Sequence, residues 1–203
     1  MTNYVFFALI AFLCDLYASS RYIRSVWAGR TRPHVFSWVV CSFTAGIAAA
    51  VSFYEGAALI GLLLTVTAIF NLIIVFSSLK QGTRYVTRSD WWALGGALAA
   101  IPLWIVTKEP FAAAVCASTI AALGDIPTLR KAWHRPFEEN GEMFFFFAII
   151  SLARLLATQP LTWTTAFYPG AGFVLQITVV GIVFFRRYAM RVRFPVAAVP
   201  AKK

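Results

Sequence analysis

Two aspartates, Asp15 and Asp125, lie inside long apolar runs of this chain, and so do Asn71, Arg154 and Gln176. An ionisable side chain in hydrocarbon costs about 2.5–3.5 kcal/mol on insertion scales, so its presence requires a reason. Asp15 stands six residues before Arg21 and Asp125 five before Arg130, about 7–9 Å along a helix from a basic boundary. Carboxylates at that depth suit proton coupling or cation coordination. The alternative is a structural carboxylate bonded to Ser or Tyr neighbours, or reached by arginines of the loops. Asn71 is nine residues from Lys80 and Gln176 ten from Arg186, about 14–15 Å and hence near a bilayer midplane. Two carboxamides facing each other there could donate to and accept from a hydroxyl-rich or zwitterionic solute; the alternative is interhelical glue. Thr67 and Tyr168 lie at helical spacing from Asn71 and Gln176 and extend the candidate substrate-binding set. Arg154 stands one turn from the end of its apolar run. It is expected to snorkel to the surface, with contact to a ligand carboxylate as the second reading. Pro127, two residues after Asp125, frees a carbonyl one turn earlier and is a candidate hinge.

Other chemistries have no residues to carry them. Cys14, Cys41 and Cys116 have no C-x-x-C spacing and read as small buried hydrophobes. His34 and His134 flank apolar runs without an intramembrane partner, which argues against haem. No G-x-x-x-x-G-K, G-x-S-x-G or H-E-x-x-H occurs. No metal, no cofactor and no catalytic residue is expected, and the chain is not expected to be an enzyme.

The elements that position these residues follow from composition. Of 203 residues, 60% are hydrophobic and 13% charged, and mean hydropathy is +0.74; soluble domains run nearer half apolar and about a quarter charged. This excludes a water-soluble globule and a disordered chain. Length and charge interruptions divide the chain into seven spans: about Asn3–Tyr22, Val35–Tyr54, Gly56–Leu79, Trp91–Thr107, Pro110–Leu129, Met143–Thr158 and Thr162–Phe185. The amino terminus lacks the basic region of a secretory signal, so the first span is expected to stay in the membrane.

Alternate connections hold sixteen of the eighteen Lys and Arg residues. The positive-inside rule then places the amino terminus outside and the carboxyl terminus in the cytoplasm, as in a bacterial-type inner membrane. Placement on one face explains the net charge of +10 without nucleic acid, and the basic face suits anionic lipids. The expected partners are a small polar solute, anionic lipids and, as a further option, a second copy in a homo-oligomer.

A faint repeat runs through the chain. Ile23-Arg24-Ser25-Val26-Trp27 and Leu129-Arg130-Lys131-Ala132-Trp133 are offset by 106 residues, and each precedes an Arg-Pro pair. Asn71 and Gln176 are offset by 105. Six of the spans carry a polar stripe at helical spacing, for example Asp15, Ser19 and Tyr22. The fourth span has small residues instead. Three spans, one spacer and three more make a parallel duplication, because an odd spacer lets both halves insert in the same direction. The predicted architecture is all-α and integral to the membrane. Residues 1–80 form one three-helix bundle, 81–108 a linker helix with its loops, 109–187 a second bundle and 188–203 a basic tail.

This 3+1+3 arrangement, with Asp125-Ile126-Pro127-Thr128 at the place of a proline motif and Asn71 and Gln176 on the third and seventh spans, resembles the SWEET and PQ-loop (MtN3-like) transporter superfamily, as a divergent bacterial-type member. The resemblance covers about residues 3–187. It departs from the family in lacking a Pro-Gln dipeptide, in having Gln176 for an asparagine and in lacking prolines in spans 1, 2 and 6. What it implies is transport of a sugar, amino acid or vitamin-like solute by alternating access. Asn71 and Gln176 would bind the solute, Asp15 and Asp125 would couple protons or a cation, and Pro127 would flex. Two other functions compete. One is a non-transporting sensor or assembly partner. The other is an intramembrane aspartyl protease, for which Leu123-Gly124-Asp125 is only a partial signature and which needs two carboxylates in one site.

Overall fold

The computed structural model describes residues 2–29, 35–79, 88, 91–92, 95, 99, 102, 106–107, 109–134, 136–138 and 141–193. All regular structure among them is helical. The elements are α1 (Thr2–Trp27), α2 (Val35–Tyr54), α3 (Ala58–Ser78), α4 (Pro110–His134), a 3-10 turn (Pro136–Glu138), α5 (Gly141–Ala157) and α6 (Trp163–Arg193). Each described position between Arg88 and Thr107 is also helical; the rest of the expected fourth span lies outside the described residues. Among the described residues four helices are long and apolar enough to cross a bilayer: Asn3–Trp27, Val35–Tyr54, Ala58–Ser78 and Trp163–Met190. The chain has the make-up of an integral membrane protein.

Three helices outrun the spans read from hydropathy. α1 continues past Tyr22 to Trp27, α4 past Leu129 to His134 and α6 past Phe185 to Arg193. A charged residue ends a membrane span, but it does not break a helix. Arg and Lys are good helix formers, and each of these extensions is basic.

Side chains are sorted as a lipid solvent requires. Phe6, Leu13, Leu62, Phe76, Val174 and Phe184 point outward and are exposed. The main core is built largely from small residues: Ala8, Ala11, Ala48, Ala49, Ala57, Ala153 and Ala157 around Ile60, Leu63 and Leu64. Small residues let backbones approach closely where no hydrophobic drive exists between helices. A Cβ on Gly172 would come 3.1 Å from Ser151 Oγ, so α5 and α6 are in near-backbone contact there. The α2–α3 hairpin closes on Gly56 at φ 77°. Ala57 N donates to Ser52 O at 2.8 Å and Gly56 N to Phe53 O at 3.1 Å. This is the Schellman arrangement, whose left-handed position favours glycine. At the other hairpin Thr162 caps α6: its Oγ1 accepts from Thr165 N at 3.2 Å, and Thr165 Oγ1 accepts from Thr162 N at 3.0 Å. Two orphan amides at the helix start are thereby satisfied.

The helix contacts close into a ring. α1 packs on α3, α3 on α2, α2 on α4, α4 on α6, α6 on α5, and α5 back on α1. Weaker contacts cross the ring between α2 and α6 and between α3 and α5. Among the described residues the backbones of α3 and α6 stand opposite each other without close approach, and so do those of α4 and α5; α1 meets α2 through the rings of Tyr22 and Trp38, 4.9 Å apart, while their backbones stay apart. Exchanging α1 with α4, α2 with α5 and α3 with α6 maps every one of these close backbone contacts between helices onto another.

Directions follow from the side chains. α1 and α5 are antiparallel, since Tyr17 stacks near Phe146 and Arg21 pairs with Glu142 at 3.2 Å. α4 and α6 are parallel: Asp125 meets Gln176, and eight residues on Trp133 O accepts from Arg186 Nε at 2.8 Å. One end of the bundle carries Arg21, Arg24, His134, Arg186 and Arg187 and is the basic end; the opposite end carries the Gly56 turn and the 158–162 connection. α3 finishes at the basic end. α4 begins at the turn end, where Ala113, Ala114 and Ala117 pack with Ile47 and Val51.

Candidate functional site: two intramembrane acids

Asp15 sits at the middle of α1, facing α3 and α5. It is 4% exposed and Arg154 is 7% exposed, so the pair is out of reach of solvent and lipid headgroups. Arg154 Nη2 donates to Asp15 Oδ2 at 2.6 Å. Thr67 Oγ1 donates to the same oxygen at 2.6 Å while accepting from Arg154 Nη2. Ser19, one turn along α1, donates to Asp15 Oδ1 at 3.0 Å. Both carboxylate oxygens are therefore bonded, and the charge is neutralised. Such closure is what allows a buried ion pair to persist.

The expectation that Arg154 snorkels to the surface is overturned. Arg154 lies one turn from the turn end of α5, but a helical side chain leans toward the amino end of its own helix. In α5 that direction points back into the bundle. Asp15 is six residues from Arg21, about 9 Å, and Arg154 is twelve from Glu142, about 18 Å along the antiparallel helix. The long arginine side chain bridges the difference. Its Nε is buried and has no hydrogen-bond partner among the described residues.

Asp125 occupies the corresponding place on α4 and is half-buried. Its Oδ2 accepts from Gln176 Nε2 at 3.3 Å, longer than the roughly 2.7–2.9 Å of a charge-assisted bond to a cation. No cation pairs with it among the described residues. The donor end of Gln176 must face the carboxylate, because the reverse amide orientation would set oxygen against oxygen. That leaves Gln176 Oε1, which is buried and unpartnered. Cys41 of α2 is within electrostatic range of Asp125.

The two acids make the same bond. In each, a side chain on the helix between its neighbours donates to the carboxylate, Thr67 to Asp15 across 52 residues and Gln176 to Asp125 across 51. The acids are 110 residues apart, whereas the helix-end match in the sequence is offset by 106. The difference is about one helical turn, so an alignment of helix ends pairs Asp125 with Ser19.

Tyr168 of α6 stands between the two clusters. Its hydroxyl is 3.4 Å from Thr44 Oγ1 on α2, and it lies within electrostatic range of Arg154, Asp125 and Cys41. Its ring packs against the cores on both sides of the ring. Asn71 is buried and its carboxamide makes no hydrogen bond among the described residues. Asn71 and Gln176 are each thirteen residues from the turn-end start of their helices, Ala58 and Trp163, hence at similar depth on the two helices that face each other across the ring. They do not bond one another. Pro127 falls within α4; its side chain lies outside the described residues. Among the described residues no cluster of His, Cys, Asp and Glu could hold a metal ion.

The sequence reading missed the Arg154–Asp15 pair, and the direction of an arginine side chain on an antiparallel helix was the signal available. Ser19 is visible in the sequence in one polar stripe with Asp15, its partner in the fold, whereas Cys41, read as a buried hydrophobe, also lies near Asp125. Compared with protein-family models, curated proteins and solved structures, the chain matches none.

Proposed function

We propose that this protein is a membrane transporter of a small polar solute, working by alternating access between two three-helix halves, α1–α3 and α4–α6. The observation that carries the reading is the ring itself. Six helices enclose a polar layer at mid-depth, and one of its carboxylates, Asp125, has no counter-charge among the described residues. A purely structural acid would be expected to have its charge met, as that of Asp15 is. The mapping of every close backbone contact between helices onto a partner under exchange of the halves supports two units of one design. A seventh, linking span is supported by connectivity, because the chain leaves α3 at the basic end and enters α4 at the turn end. The thirty-one residues between Ser78 and Pro110 are more than the roughly 20 a crossing needs. With such a span the proposed plan is 3+1+3, the arrangement on which the resemblance to SWEET and PQ-loop carriers rests.

In this reading Asn71 and Gln176, facing each other across the ring, bind the solute with Thr67 and Tyr168 nearby, and Asp125 couples a proton or cation. Asp15 and Arg154 hold α1, α3 and α5 together, and Pro127 is the hinge of α4. The amino terminus is outside and the basic end lies against anionic lipid in the cytoplasm. An aspartyl protease is disfavoured, because Asp15 is spent on Arg154 and shares no hydrogen bond with Asp125. The test is a thermal-stability screen of the purified protein with sugars, amino acids, amines and vitamins, run beside Asn71→Ala. A solute that raises the midpoint of the wild type alone, and that crosses proteoliposome membranes, supports the proposal. No stabilisation and no flux across the panel would leave a sensor or assembly partner as the better reading.

A further inference from the structure

Among the described residues the polar layer holds two carboxyl groups and one guanidinium, those of Asp15, Asp125 and Arg154. Asp15 and Arg154 cancel at 2.6 Å, so one negative charge is left over. Around it the donors are few. Asp125 Oδ2 receives one long bond from a neutral amide. Beside it, Gln176 Oε1 is a second acceptor, buried and unpartnered. Two acceptors, one of them charged, set together in a low-dielectric layer match a group that is both cationic and rich in hydrogens. A primary ammonium has three N–H donors and one positive charge. A carboxylate or phosphate would meet acceptors only, and a quaternary ammonium would leave Gln176 Oε1 unsatisfied.

The geometry points to Asp125 and Gln176 as the recognition point for a small primary amine, with the same carboxylate carrying a proton when the amine is absent, so that the chain exchanges protons for organic cations. This rests on the transporter reading and names its substrate class and coupling. The step balances: the Asp125 carboxyl releases one proton, its carboxylate then pairs with R–NH3+, and no covalent bond to carbon changes. Positive charge in the layer is conserved through the cycle, which satisfies the carboxylate in both states. The groups that face Asp125 from the helices packed on α4 are Cys41 from α2 and Tyr168 from α6. Thiols and phenols titrate near about 8.5 and 10, so neither competes for the proton at neutral pH. Arg154 is committed to Asp15. The 3-10 turn meets α4 at its basic end, two turns or more beyond Asp125.

The test titrates ethanolamine hydrochloride into the full-length protein in weakly buffered detergent with a pH indicator, beside tetramethylammonium chloride, glucose and sodium acetate. The expected result is saturable ethanolamine binding with about one proton released per amine bound, weakening about tenfold for each unit by which the pH falls through the range where Asp125 is protonated. Tetramethylammonium should bind at least about tenfold more weakly, because it cannot donate. Asp125→Asn should abolish amine binding and proton release together. Gln176→Leu should weaken the amine by about tenfold while leaving proton release per bound amine unchanged. Binding that survives in Asp125→Asn, releases no proton, or is equally tight for tetramethylammonium overturns the inference. Counterflow of labelled ethanolamine in proteoliposomes, against protein-free vesicles, separates the two levels. Asn71-dependent glucose flux without amine binding would end the amine assignment and leave the transporter standing. No flux of any probe and no binding would end both.

Discussion

Asp15 and Asp125 sit on the first helix of each half, face the same kind of neighbour and accept a bond from a side chain about fifty residues further on. Their surroundings differ in one helix. Where α5 brings Arg154 to Asp15, the matching helix α2 brings a thiol, Cys41, to the side of Asp125. One acid has its charge met and both oxygens bonded. The other has no cation paired with it among the described residues. Two acids in like frames can thus be left in different states, because the state is set by what the facing helix supplies. In the paired acid the cost of burial is offset within the fold, and in the function proposed above the other acid is left for a mobile positive group.

The comparison is sharpened most strongly by removing one member of the ion pair. Arg154→Ala leaves Asp15 buried without a cation, and the loss should be about 3–5 kcal/mol. Chemical or thermal denaturation in detergent would register it as a steep fall in the folded fraction. The double variant Asp15→Leu with Arg154→Met should recover most of that loss, since apolar replacement of a whole buried pair is often neutral. If the double variant is no better than the single, the pair is more than structural. Thr67→Val keeps the shape of the side chain but deletes the hydroxyl that bridges Asp15 and Arg154, and about 1.5–3 kcal/mol should go with it, read by the same unfolding assay. Ser19→Ala removes the single bond to Asp15 Oδ1, for about 1 kcal/mol. Smallest of all should be the effect of Asp125→Asn on stability, under about 1 kcal/mol, because a neutral amide makes no demand for a counter-charge. A loss as large as that of Arg154→Ala would erase the distinction between the two acids.

Much of this was legible in the chain before any coordinates. The span of α2 follows from the charge-free run Val35–Tyr54, whereas Gly56, read as the start of the third span, lies in the turn before α3. Hydropathy was blind to the helical extensions at Trp27, His134 and Arg193, since it reads the solvent of a segment and not its backbone. The polar stripes correctly grouped Asp15 with Ser19, a local bond one turn apart. They could not join Asp15 to Arg154, 139 residues away, because side-chain pairing across a bundle depends on which helices are neighbours. Nor could the faint repeat align the two acids. Basic residues mark helix ends at one offset, while the acids lie at an offset one turn longer. Asn71 and Gln176 stand at equal distances from the starts of their helices; that Gln176 turns toward Asp125 depends on α4 packing beside α6.

The claim that Asp125 is the working acid and Asp15 the structural one is tested most directly by flux in proteoliposomes, measured across a pH series for wild type and Asp125→Asn at matched amounts of folded protein. The account predicts that Asp125→Asn folds as well as wild type and loses solute flux together with its pH dependence. Unaltered flux and an unaltered pH profile in Asp125→Asn would contradict it.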